Sequence, residues 1–307
     1  MLIDLDPTFA LAFNSVVVLV LIGVAVGALL SMRSRTTVLN RADRYSVKSR
    51  LPYGTDQTRE SVARGLRARA NAVTGALLAA GLVALPLLFT PLGTNMLFVF
   101  FVIVTALVAG GTIATVAVNL RERLFHPAPD APRVARARRM MTADYLGPAR
   151  RALPWVLLAA ASVATFLLAG SQFDERVSTE PMTTTAAFIF ACVAAVAFAV
   201  LPRLDRLILD RAQPASDTLE LAWDDAFRAY ALSSLRLSAA IAAWFALAFS
   251  LGALCAAYAP PSVFFAMQLP TWGIVALQFV YPNTGRPLPE SLYPDWLRRP
   301  VTVGAPA

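Results

Sequence analysis

Two adjacent carboxylates, Asp224 and Asp225, lie one helical turn before Arg228 in a chain of 307 residues. Paired acids can do general acid–base work, but no histidine accompanies these two, and the single histidine, His126, lies far away in the sequence. Asp224 and Arg228 are instead spaced i, i+4, which favours an ion pair on one helix. A second basic group, Arg64, Arg67 and Arg69, sits on an earlier helix and offers charge partners of the right sign. These six residues are therefore expected to make a helix–helix contact. A different chemistry is suggested by Asn14, Thr112, Gln268, Pro270 and Gln278, which interrupt otherwise apolar runs. Pro270 should kink its helix and free a backbone carbonyl, and the amides could then line a polar path for a small solute. The other expectation for these residues is ordinary hydrogen bonding to neighbouring helices. Cys192 and Cys255 both fall in apolar runs, with no CxxC and no Cys/His cluster, so neither a zinc site nor a disulfide framework is expected. P-loop, HExxH, GxSxG and dinucleotide-binding glycine patterns are absent from the sequence, so no cofactor and no catalytic residues are assigned.

The elements that hold these residues follow from composition. The chain is 57% hydrophobic and 15% charged, with a mean hydropathy of +0.60. Its apolar residues come in runs of about twenty, the length that crosses a bilayer core of about 30 Å. The pattern predicts an all-α, polytopic membrane domain over 1–307 with about seven spans: 9–31, 73–90, 96–118, 154–170, 186–201, 237–258 and 262–281. Within those seven runs there is no Asp, Glu, Lys, Arg or His, which argues against an ion-coupled carrier, since such proteins keep intramembrane charges for function.

Charge gives the orientation. Of 27 basic residues, ten lie in 32–72, eight in 119–153, five in 202–237 and three in 282–307, leaving Arg176 alone elsewhere. Seven spans put all four segments on one side, and the positive-inside rule makes that side cytoplasmic, with the N-terminus outside and the C-terminus inside. The net charge of +8 is thus explained by topology in a cell membrane rather than by nucleic-acid binding. The basic side would also face anionic lipid head groups.

Two spans should continue as helices into the cytosol. Pro52 and Gly54 mark a turn, after which Thr55 or Asp56 caps a helix that enters the second span. Ser216 or Asp217 caps another, with Glu220 placed as in a capping box, and no proline interrupts it before Tyr258. That helix would be roughly 63 Å long, so its charged half must stand outside the bilayer. Leu219, Ala222, Trp223, Ala226, Phe227 and Tyr230 form an apolar face on that half, and this face needs a partner. The two capped helices align without a gap at an offset of 161, matching Gly65–Ala70 to Ala226–Ala231. A parallel internal repeat of 9–118 and 186–281, with 154–170 as linker, would follow. Between the halves, residues 133–146 read as a short basic helix that ends at Gly147 and Pro148, and 282–307 read as an irregular tail.

The paired inner helices, at Asp56–Glu60 and Trp223–Ala229 between Ala/Leu-rich spans, resemble those of uncharacterised multi-span membrane proteins of actinobacteria. The resemblance implies no activity. Two functional expectations stand. The first is a non-enzymatic scaffold or accessory subunit with a cytosolic helical surface for a protein partner or a second copy of the chain. The alternative is a small-solute permease with a polar path near the seventh span. A continuous cavity lined by Asn14, Thr112, Gln268 and Gln278 would mark the permease, and a dry interface of small residues the scaffold.

Overall fold

The computed structural model describes residues 6–121, 124–125, 134, 136, 139–173, 181–213, 215–259, 263–281 and 287–298. The described chain is helical: α1 (Pro7–Ser31), α2 (Arg35–Ser49), α3 (Asp56–Ala84), α4 (Met96–Arg121), α5 (Thr142–Tyr145), α6 (Pro148–Ser171), α7 (Pro181–Leu209), α8 (Thr218–Tyr258), α9 (Val263–Val280) and α10 (Asp295–Arg298). Six of these, α1, α3, α4, α6, α7 and α8, are long and apolar enough to cross a membrane. The protein is an all-α polytopic membrane protein, and its lipid-facing surface carries exposed Phe, Leu, Ile and Val side chains, among them Leu19, Ile113, Phe166 and Val196.

The caps expected from sequence are in place. Thr55 Oγ1 accepts from Thr58 N at 3.1 Å, and α3 then runs unbroken to Ala84. Gly54, at φ +74°, makes the turn before it, a backbone conformation that suits glycine. Asp217 caps α8 by accepting from Glu220 N at 2.7 Å, while Glu220 Oε2 reaches back to Ser216 N, also at 2.7 Å. α2 was not anticipated. Ser34 caps it, and Arg50 ends it in the left-handed region at φ 54°.

Helix α8 is the axis of the molecule. It packs against α4, α6, α7 and α9, and no residue from Leu219 to Ala257 is exposed. In its apolar half, Ala239, Ala240, Ala242, Ala243, Ala246 and Ala253 are fully buried and let the neighbours approach closely. Phe245 and Phe249 stack on Phe190 of α7, at centroid distances of 5.1 and 5.6 Å, and Phe101 of α4 meets Phe190 edge-on at 5.2 Å. One hydroxyl pair, Thr165 and Ser250 at 2.9 Å, crosses from α6 to α8. α3 and α4 make a second close pair, with Gly110 set against Ala76.

Three expectations change. The charged half of α8 does not stand in water: segments from the basic connectors and the tail wrap it. Among the described residues of 133–146, helix covers only Thr142–Tyr145, and Val134 pairs instead with Ala215, its N–H donating to the carbonyl at 3.1 Å. The tail is not irregular throughout, because 287–298 folds back in short helical turns with Leu288 and Leu292 buried. His126 and the proline-rich run 126–132 lie outside the described residues.

Candidate functional site at the arginine-rich end

On the charged half of α8, Trp223 is fully buried. Its ring is stacked between Tyr53 (centroids 5.5 Å, planes 5° apart) and Tyr45 (6.2 Å, 26°), and its Nε1 donates to the Pro52 carbonyl at 3.0 Å. Tyr45 in turn donates to the Ala226 carbonyl at 3.3 Å. The apolar face seen in the sequence is thus covered from within the chain, by α2 and the turn after it. Burial pushes the Tyr45 hydroxyl well above its ordinary range. Tyr53 is raised by burial and by the neighbouring Asp43 carboxylate, to which it donates. Asp43 is itself held below the usual carboxylate range by the Arg59 guanidinium, which donates to it at 3.0 and 2.7 Å.

The adjacent acids point to different partners, because successive residues on a helix diverge by about 100°. Asp224 takes Arg228 at 3.0 Å, the pair read from the i, i+4 spacing. Asp225 is completely buried and accepts from three elements: Arg136 Nη2 at 2.6 Å and Nε at 3.1 Å, Tyr145 Oη at 2.9 Å, and Gln213 Nε2 at 2.8 Å. Both oxygens are engaged, and burial, with the Asp225 charge beside it, raises the Tyr145 hydroxyl. Arg136 also donates to the Leu292 carbonyl at 2.8 Å, tying in the tail. Tyr293 then donates to the Ser49 carbonyl at 2.6 Å. A buried carboxylate with both oxygens bonded in this way clamps the segments that reach it.

Arg64, Arg67 and Arg69 do not reach Asp225. Arg64 and Arg67 are exposed. Arg69 turns inward, donates from Nη2 to Asn119 Oδ1 at 2.8 Å, and lies 3.9 Å from the centre of the Phe227 ring. The α3–α8 contact therefore exists, but through Phe227 against Gly65 and beneath Arg69 rather than through acid–base pairs. Arg211 donates to the Asn119 carbonyl, and Arg228 to the Leu209 and Arg211 carbonyls. A pocket opens among these groups, lined by Arg64, Arg69, Asn119, Arg211, Asp224 and Arg228 beside the Phe227 ring.

The polar residues of the spans are not brought together. Asn14 is buried and donates to the Gly93 carbonyl at 2.8 Å in the turn between α3 and α4. Thr112 bonds back to Val108 of its own helix at 2.7 Å. Gln268 and Gln278 are exposed. The carbonyl just before Pro270, that of Leu269, accepts from Trp244 Nε1 at 2.9 Å, and the indole of Trp244 presses against Gly273. A side chain of α8 thus packs against α9 beside Pro270. Cys192 and Cys255 are both unbridged.

Several site residues were missed in the sequence: Arg136, Tyr145, Gln213, Asn119, Arg211, and the buried pair Asp205 and Arg236 between α7 and α8. Asn119 alone carried a readable signal, as an amide at the end of an apolar span. The fold and these contacts define a polytopic membrane protein with an internally braced, arginine-rich end. Comparison of the chain with family models, curated proteins and solved structures returned no match, so the functional reading rests on this geometry.

Proposed function

We propose that the protein is a non-enzymatic scaffold or accessory subunit of the cell membrane, crossing it seven times with α9 as the last span. The N-terminus lies outside and the arginine-rich end faces the cytosol, as the charge asymmetry requires. The observation that carries the reading is the enclosure of α8. The long helix lies against its own chain from Leu219 to Ala257 and holds a close-packed, alanine- and phenylalanine-lined bundle beneath a braced layer. Such a layer is a rigid platform. Its outer surface presents Val47, Met141 and Trp296, which are 78%, 61% and 56% exposed and are the groups a protein partner or a second copy would cover. The two halves are read as a parallel repeat, in which α3 and α8 are the equivalent capped helices that extend beyond the bilayer.

The test is affinity purification of the full chain from its native membrane in mild detergent. A stoichiometric protein partner or a defined homo-oligomer, lost on Val47→Glu or Trp296→Glu, supports the reading. A lone monomer that moves a solute across reconstituted vesicles would sink it and restore the permease.

A further inference from the structure

Among the described residues, the pocket between α3, α4, α7 and α8 is lined by Arg64, Arg69, Arg211 and Arg228 and by the carboxylate of Asp224; Arg228 engages Asp224, and Arg211 donates to the Asn119 carbonyl. Arg69 Nη1 is buried and has no acceptor among the described residues. A buried donor left unmade is costly, so a site that keeps one is built for a missing acceptor. The rest of Arg69 is held in place: Nη2 is fixed by Asn119, and the guanidinium plane rests on Phe227. Arg64, at the mouth, is exposed and makes no ion pair among the described residues, so it can close over an incoming group. Arg69 Nη1 from within and Arg64 from the rim can thus reach one incoming group, and two guanidiniums fit a group with three or four anionic oxygens.

We propose that this pocket binds a phosphate group. Arg69 precedes the second span by four residues, and Asn119 and Arg211 follow the ends of the third span and of α7, so the pocket sits at head-group depth. The phosphate could therefore belong to an inner-leaflet anionic phospholipid or be a free phosphate ion, since the chemistry of recognition is shared. The site rests on the membrane reading but not on the scaffold role, and its failure would leave partner binding untouched.

The full-chain protein is reconstituted in phosphatidylcholine nanodiscs in chloride buffer, and its thermal unfolding midpoint is followed. One arm titrates inorganic phosphate. The other replaces a rising fraction of the lipid with phosphatidic acid. A saturable rise in the midpoint is expected in one arm, and the arm that shows it identifies the source. Arg64→Gln should weaken half-saturation about tenfold, the loss of one charge-assisted contact. Arg67→Gln, on the same helix but outside the pocket, should leave it unchanged. Arg69→Gln should abolish the response; if that variant does not fold, the Arg64 and Arg67 pair decides. No saturable rise in either arm, or equal weakening by Arg64→Gln and Arg67→Gln, overturns the site.

Discussion

Arg236 of α8 grips Asp205 of α7 with both terminal nitrogens, Nη1 to Oδ1 at 2.9 Å and Nη2 to Oδ2 at 2.5 Å. Both residues are buried, and the pair sits one residue outside the apolar half of α8. Removing one partner strands the other charge, which costs about 3–5 kcal/mol. Asp205→Asn should therefore lower the unfolding midpoint in detergent markedly. The double variant Asp205→Asn with Arg236→Gln should recover part of the loss, because no buried charge remains. A double variant less stable than Asp205→Asn alone would contradict this account.

Asp225 is the keystone of the braced layer. Asp225→Asn weakens its tie to Arg136 and, through Arg136, the hold on Leu292. Loss of a buried, paired charge predicts a destabilisation of about 3–5 kcal/mol, with faster hydrogen exchange in 139–147 and 287–293 than in the α6–α8 bundle. Uniform acceleration across the bundle would show that the clamp does not act locally.

Alkaline pH should open the same layer. Tyr45, Tyr53 and Tyr145 have hydroxyls raised above the ordinary value of 10.0. A group whose folded pKa is raised contributes stability that is full below the unfolded value and is lost as pH climbs past it. Stability should thus fall above about pH 10. Ultraviolet titration of the seven tyrosines should show a fraction that ionises only on unfolding. Tyr145→Phe should flatten the alkaline loss, and an unchanged profile would count against the assignment. Asp43 acts at the other end. Lowered below 3.8, it adds stability above that pH and loses it as pH falls through its folded value, a small effect because the carboxylate is 42% exposed.

Gly273 tests how α9 is held. A methyl group there would fall inside the Trp244 indole, so Gly273→Ala must displace the ring and break its bond to Leu269. Trp244 fluorescence should shift, and cross-linking between 244 and 269 should fall. Wild-type spectra and cross-linking yield in Gly273→Ala would show that α9 packs elsewhere.

The all-α plan of long apolar helices was legible in the sequence because run length and helix caps are local signals. Thr55, Asp217 and the unbroken 218–258 run were all readable, as was Asp224 with Arg228 four residues on. What could not be read were bonds between residues far apart in the chain. Arg136 and Asp225 are 89 positions apart, and nothing in a string of arginines distinguishes the one that leaves the helix pattern to reach a buried acid. The same limit hid Arg69: it was grouped with Arg64 and Arg67 by proximity, yet helical rotation turns it inward onto Phe227 and Asn119. The amides of α9 misled in the opposite direction, because a side chain of another helix, Trp244, packs against α9 beside Pro270.

The bonds from Tyr293 to Ser49 and from Arg136 to Leu292 join the first and second basic connectors to the segment 287–298. The braced layer cannot close before residues 287–298 have been made, so the helices made earlier wait with the ends it covers still open. A chain cut before residue 287 would insert but never lock, and quality-control proteases at the membrane would find its α2 and 139–147 segments open.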